Sequence, residues 1–228
     1  MIIYVPDPID ISLQRRKIEI GCLCTPSRCG CVSKATPVLI DIGIAAAVHG
    51  VQLQEYLRVI KRVSTVVRAD VYAVVPDVFC DATKTIENWH KYAQIIKRLG
   101  ANPVLVLQSF YTDLDRYMNL IDETEIVALP SRKHCDATCA ARPRLCAERI
   151  ERALRILYQK KVHLLGPALR VLRYLGDTLN QIYSFDTAAY HMAPNAKLKE
   201  KTDGRYMPRN MSESAEWLMA WLEQACVI

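Results

Sequence analysis

No apolar run in this 228-residue chain reaches the roughly 20 residues that a membrane-spanning helix needs. A helical membrane protein is therefore not expected. The N-terminus, "MIIYVPDPID", has no basic stretch leading into a long apolar segment, so a secretory leader is not expected either. A cytoplasmic protein with mostly reduced thiols follows as the expectation. Glycine is scarce, at 8 residues, and the charges are mixed, which argues against disorder and low complexity. The chain has no G-x-x-x-x-G-K-[ST], no G-x-G-x-x-G and no H-E-x-x-H. Nucleoside triphosphate, dinucleotide and zincin chemistry thus lack their usual signatures, and no organic cofactor is expected. No linker, internal repeat or shift in composition divides the chain, so residues 1–228 are read as one domain.

Hydrophobic residues make up 51% of the chain, enough for a sizeable core. The formal net charge of +6 is a mild bias toward polyanions such as nucleic acid. Cysteine is the one abundant oddity, with nine residues, seven of them in two clusters. The first, "CLCTPSRCGC", holds Cys22, Cys24, Cys29 and Cys31; the second, "CDATCAARPRLC", holds Cys135, Cys139 and Cys146. Neither has a standard zinc-finger spacing. Four thiols so close together in a reducing compartment suggest zinc or an iron–sulfur cluster on the first set, the alternative being reduced thiols packed in loops. His134 beside Cys135 is a further possible ligand, although a lone histidine in a polar loop usually is not one.

Short runs rich in β-branched residues recur at residues 1–5, 18–24, 36–41, 71–77, 103–109, 125–131, 162–166 and 182–186. Several are apolar almost throughout, as strands buried on both faces are. Helical patterns lie between them at 53–67, 85–100 and 145–161, with another at 212–227. In the first, Leu53, Tyr56, Leu57, Ile60 and Val63 form a stripe; the second opens on Thr85 and stops at Gly100. Eight strands alternating with helices predict a compact (β/α)8 TIM-like barrel, with an open doubly wound parallel sheet as the alternative. The chain is short for such a barrel, so some helices must be trimmed.

The C-terminal strand ends are where such a barrel places its chemistry. Asp41, Asp77, Gln108, Ser131 and Asp186 each stand where an apolar run stops, and the seventh run ends at Gly166. Any one of them could be a loop cap or a salt-bridge partner. Three carboxylates and a glutamine in equivalent places make a stronger pattern. Paired carboxylates suit reaction at an anomeric carbon, one attacking the sugar and the other moving a proton. A further carboxylate beside an amide suits guanine, accepting from its N1–H and 2-amino group while the amide meets the six-position carbonyl.

Taken in order, "LIDIGIAAAVHG" (39–50), "ADVYAVVPDV" (69–78), "VLVLQS" (104–109), "VHLLGP" (162–167), "YSFDTAAY" (183–190) and "DGRYMPRN" (203–210) resemble segments of the tRNA-guanine transglycosylase superfamily. Asp41 and Gly43 match its acid/base segment, while Ile42 and Ile44 replace a serine and an aromatic residue. Ser109 stands where that family has glycine, and the family's cysteine-rich zinc site after the nucleophile has no counterpart. The compact chain is most similar to the DNA 7-deazaguanine transglycosylases. The resemblance implies a (β/α)8 barrel that exchanges guanine in DNA for a 7-deazaguanine base of the preQ0 type. Asp186 would be the nucleophile, Asp41 the proton carrier, and Asp77 and Gln108 the base readers, with Ser131 and Gly166 beside the substrate. The target nucleotide would leave the stack to react. Lys197, Lys199, Lys201, Arg205 and Arg209, just past the candidate nucleophile, are candidate phosphate contacts. Two alternatives stay open: a compact tRNA-guanine transglycosylase, and an inactive barrel that binds nucleic acid or a deazaguanine. Accessory proteins or a homodimer are further possible partners.

Overall fold

All eight apolar runs form strands in the computed structural model, which describes residues 1–6, 18–26, 29, 32, 34, 36–42, 53–187 and 211–224. They are β1 (Ile2–Val5), β2 (Glu19–Cys24), β3 (Val38–Ile40), β4 (Val71–Val74), β5 (Asn102–Val106), β6 (Ile126–Pro130), β7 (Lys161–Leu165) and β8 (Ser184–Asp186). Each pairs in parallel with its sequence neighbour. β1 also pairs with β8, matching Ile2 to Ser184 and Tyr4 to Asp186. The sheet is therefore a closed eight-stranded barrel, and the open-sheet alternative falls.

Closure explains the doubly apolar strands. Ile2, Tyr4, Leu39, Tyr72, Val74, Val104, Val106, Ile126 and Ala128 fill the barrel interior. The residues between them, such as Ile3, Val38, Ile40, Ala73, Leu105 and Val127, face the helices. Alternation along a strand makes both sets apolar at once. Gly21 is needed here, because a Cβ on it would lie 2.4 Å from Cδ1 of Tyr4, whose ring takes that space inside the barrel. Emptying such a site, as in Leu39→Ala, typically costs about 2–5 kcal/mol.

Helix α1 (Leu53–Val66) buries Tyr56, Val59, Ile60 and Val63. Leu57, expected on that stripe, is only half-buried, and Val59 takes the inner place. Helix α2 (Ala82–Arg98) begins about a turn before the expected Thr85, because the Asp81 carboxylate caps it by accepting from the Lys84 amide at 2.9 Å. It stops at Gly100, whose φ of +91° suits glycine. The chain between β5 and β6 holds only short pieces: α3 (Phe110–Asp113), a 3-10 turn (Leu114–Tyr117) and α4 (Met118–Ile121). Helix α5 (Pro143–Ile156) starts on a proline, which suits a first helical turn. After β7 come α6 (Leu169–Leu175) and a 3-10 turn (Gly176–Gln181), and α7 (Met211–Gln224) is the last helix described. These abbreviated helices let a short chain close a full barrel. None of the described helices is long and apolar enough to cross a membrane.

Candidate active site

The strands all run one way, so their C-terminal ends form one rim. Asp186 is the last residue of β8, Asp41 directly follows β3, Asp77 lies three residues past β4, and Gln108 two past β5. The described groups on this rim fall into two sets.

The first set surrounds Asp186. Register places His163 of β7 opposite Ser184 of β8. Phe185 faces outward and packs near Trp221, with ring centroids 6.1 Å apart. The fully buried His163 ring reaches Ser184 Oγ from Nδ1 at 2.9 Å and Asp186 Oδ1 from Nε2 at 3.1 Å. A ring with its proton on Nε2 satisfies both contacts, donating to the carboxylate and accepting from the hydroxyl. The Gly166 amide donates to the same Oδ1 at 2.8 Å. Gly166 has φ +54°, a backbone conformation that side chains other than glycine rarely adopt. Two donors thus hold one oxygen of Asp186, while Oδ2 has no partner among the described residues. The carboxylate is fixed and only 17% exposed. It is not a helix cap.

The second set lies across the ends of β3, β4 and β5. Gln108, almost fully buried, donates from Nε2 to Asp77 Oδ2 at 2.5 Å. Its Oε1 accepts from the Cys80 amide at 3.2 Å, and its carbonyl accepts from the Tyr117 hydroxyl at 3.2 Å. Burial pushes the Asp77 carboxyl above the ordinary carboxylate range, and the Gln108 bond partly opposes it. The buried Tyr56 hydroxyl of α1 is shared between the carbonyls of Ile40 at 3.2 Å and Val74 at 2.5 Å. It ties together the two strands that lead into Asp41 and Asp77. Its phenol is held far above its usual range by burial first, then by the charges of Asp41 and Asp77. Both carboxylates are therefore within electrostatic reach of one hydroxyl. Cys80 (φ +61°) and Ser109 (φ +55°) are the non-glycine residues with positive φ among the described residues, and both adjoin the Asp77–Gln108 contact. Such backbone conformations typically cost on the order of 1–3 kcal/mol and gather at ligand sites.

Other expected residues have different surroundings. The Ser131 hydroxyl donates to the Leu165 carbonyl at 2.9 Å, linking the ends of β6 and β7. Gly43 and the cations Lys197, Lys199, Lys201, Arg205 and Arg209 lie outside the described residues. So does Cys31, while Cys24 and Cys29 form a disulfide and Cys22 is also disulfide-bonded. Sulfur held in a disulfide has no thiolate charge to offer a cation, so Cys22, Cys24 and Cys29 would have to be reduced to act as the expected ligands. Another disulfide joins Cys80, on the β4–α2 loop, to Cys135, on the β6–α5 segment.

A group that can hold a metal ion occurs in the other cluster. His134, Cys139 and Cys146 are buried, and one donor atom from each lies within 4.8 Å of the others. Burial raises the pKa of both thiols. His134 is thus no isolated loop histidine. A cavity of about 490 Å³ lies between α3 and α5, lined by Phe110, Tyr111, Leu145, Arg149 and Ile156 among others, outside the barrel wall.

Reading strand ends from the sequence leaves out His163 and Tyr56. His163 had a signal, as the one ionisable residue within the apolar run "VHLLG". Tyr56 looked like any other member of the α1 stripe. No family model, no curated protein and no solved structure matches this chain.

Proposed function

We propose that this chain is a base-exchange transglycosylase that replaces guanine in DNA with a 7-deazaguanine base. The carrying observation is Asp186: its Oδ1 is held by the His163 ring and the Gly166 amide, and Oδ2 remains for reaction. A carboxylate needs no base to activate it at neutral pH, and two fixed donors orient it. Support comes from the Asp77–Gln108 pair, which offers carboxylate and amide groups of the kind that the guanine edge needs. The positive φ of Ser109 is further support, since the family that the sequence resembles has glycine there.

In this reading Oδ2 of Asp186 bonds to C1′ of the deoxyribose as the bond from C1′ to the guanine ring nitrogen breaks. Asp41 gives a proton to the departing base. The incoming deazaguanine then returns a proton to Asp41, its ring nitrogen bonds to C1′, and Asp186 leaves as the carboxylate. Asp77 and Gln108 hold first one base and then the other.

Incubation with labelled guanine and either guanine-containing DNA or tRNA tests the proposal, with denaturing gels to trap the glycosyl-enzyme. Label entering DNA, with a covalent band that Asp186→Asn abolishes, is the expected result. Label entering tRNA alone would move the assignment to a tRNA enzyme. No label in either polymer, with no band, would leave an inactive binding barrel.

A further inference from the structure

We propose that His134, Cys139 and Cys146 form a zinc site that clamps the segment between β6 and α5 beside the Asp77–Gln108 pair. This rests on the second cysteine cluster alone and is independent of the base-exchange reading.

The backbone brings the three donors together. Residues 133–138 make a tight hairpin, with Lys133 bridged to Thr138, the His134 amide on the Ala137 carbonyl at 2.8 Å, and the Cys139 amide on the Arg132 carbonyl at 3.1 Å. That turn sets His134 beside Cys139, and the first turn of α5 supplies Cys146. Donors around a tetrahedral zinc lie about 3.3–3.8 Å apart, so a set within 4.8 Å needs only a small contraction.

Outer contacts already orient the imidazole. The guanidinium of Arg149 can only donate, and its NH1 lies 3.3 Å from His134 Nδ1, so Nδ1 carries the lone pair. The proton is then on Nε2, which donates to the Pro130 carbonyl at 3.0 Å. A ligating histidine usually has one nitrogen anchored to a carbonyl in this way, and the metal would take the Nδ1 lone pair in place of Arg149, which keeps its bonds to Asp136. The Arg149 charge is answered by Asp136, which accepts from both terminal nitrogens at 2.7 Å each. The rings of Phe110 and Tyr111 pack at 5.3 and 5.1 Å from the imidazole.

Two thiolates and an imidazole suit zinc and do not suit magnesium or calcium, which take oxygen donors. Binding releases the two thiol protons, and an exogenous ligand, water in the simplest case, fills the fourth position. The functional consequence is mechanical. The clamped segment includes Cys135, which is bonded to Cys80, and the Cys80 amide holds Gln108. The metal would stiffen the wall on which Gln108 is hung.

The test is metal analysis of the full-length protein purified under reducing conditions, with cobalt exchanged for the native metal as a spectroscopic probe. About one equivalent of zinc is expected in the wild type, falling at least about fivefold in His134→Ala, Cys139→Ser and Cys146→Ser, but not in a Cys24→Ser, Cys29→Ser double variant. The cobalt form should show thiolate-to-cobalt charge transfer and tetrahedral visible bands. Zinc that survives Cys139→Ser and Cys146→Ser overturns the site, as does a wild-type cobalt protein without the charge-transfer band. That second readout holds even if a variant fails to fold.

Discussion

The two ends of the barrel are both rich in polar groups, yet they use them differently. At the N-terminal end Tyr72 donates to Asp70 at 3.4 Å, meets the Tyr183 hydroxyl at 3.2 Å and accepts from Lys161 at 3.4 Å. Lys161 also pairs with Glu125 and lies over the Tyr183 ring. Charges and hydroxyls there close on one another, so the end is plugged. At the C-terminal end the bonding is one-sided. Asp186 has one oxygen doubly held and the other without a described partner, and burial raises the pKa of Asp77 while the Gln108 bond partly opposes it. The same residue types close on one another at one end and leave a carboxylate oxygen without a described partner at the other. The difference lies in which groups the backbone leaves unpaired.

Four substitutions test this contrast. The largest expected effect is Asp186→Asn. The amide oxygen still accepts from His163 and Gly166, so the thermal midpoint should stay within a few degrees while turnover falls by about 10³-fold or more. Base-exchange rates and melting curves measured together check this, and a variant with near-normal turnover would break the contrast at its centre. His163→Phe should come next, because it strips Ser184 and Asp186 of a buried partner. A loss of about 2–3 kcal/mol is expected in denaturant unfolding, together with a fall in turnover that Asp186→Asn alone should already include.

Asp77→Asn should separate binding from stability. The folded pKa of Asp77 is raised, so the native state holds its proton more tightly than the unfolded chain. Stability therefore falls as pH rises from the ordinary carboxylate pKa through the raised one, and stays lower above it. The asparagine variant should lose that dependence and be at least as stable as the wild type at neutral pH, while guanine binding drops about tenfold or more. In the wild type, binding should weaken on acidification through the raised pKa, because a protonated carboxyl cannot accept both base hydrogen bonds. Calorimetric titration across pH, paired with unfolding curves, reads both effects.

The smallest effect is expected inside the barrel, from Tyr4→Phe. The Tyr4 hydroxyl is buried with no described partner, and burial, then Tyr183, Glu19 and Asp70, push its phenol far up. Removing a hydroxyl that makes no bond should leave stability unchanged or raise it by up to about 1 kcal/mol, with activity intact. A clear loss in unfolding experiments would mean that the group is satisfied after all, and that the plugged end is better bonded than described.

Much of the architecture was legible in the sequence. β-Branched runs that are apolar at every position signal strands buried on both faces, and eight of them alternating with helical stripes leave few folds to choose among. The rim positions of Asp41, Asp77, Gln108 and Asp186 were legible for a related reason: an apolar run stops where solvent begins. Local boundaries were less so. The start of α2 was misplaced because Asp81 competes with Thr85 as a cap, and one side chain's hydrogen bond decides between them.

By itself, then, the sequence determined the strand count, the parallel direction and the strand ends at which the polar residues emerge, because these depend on periodicity and on neighbours a few residues away, whereas closure of the sheet was decided by the β1–β8 pairing. Tertiary structure alone decided the partners. His163 meets Asp186 across 23 residues only because β7 and β8 pair in the register that sets His163 opposite Ser184. Gln108 finds Asp77 across 31 residues, and Tyr56 spans two strand ends from a helix. The cysteines show the same division. Their clustering was plain, yet Cys24 pairs with Cys29, while Cys139 and Cys146 gather with His134, because a hairpin and a helix turn set those distances and spacing along the chain does not.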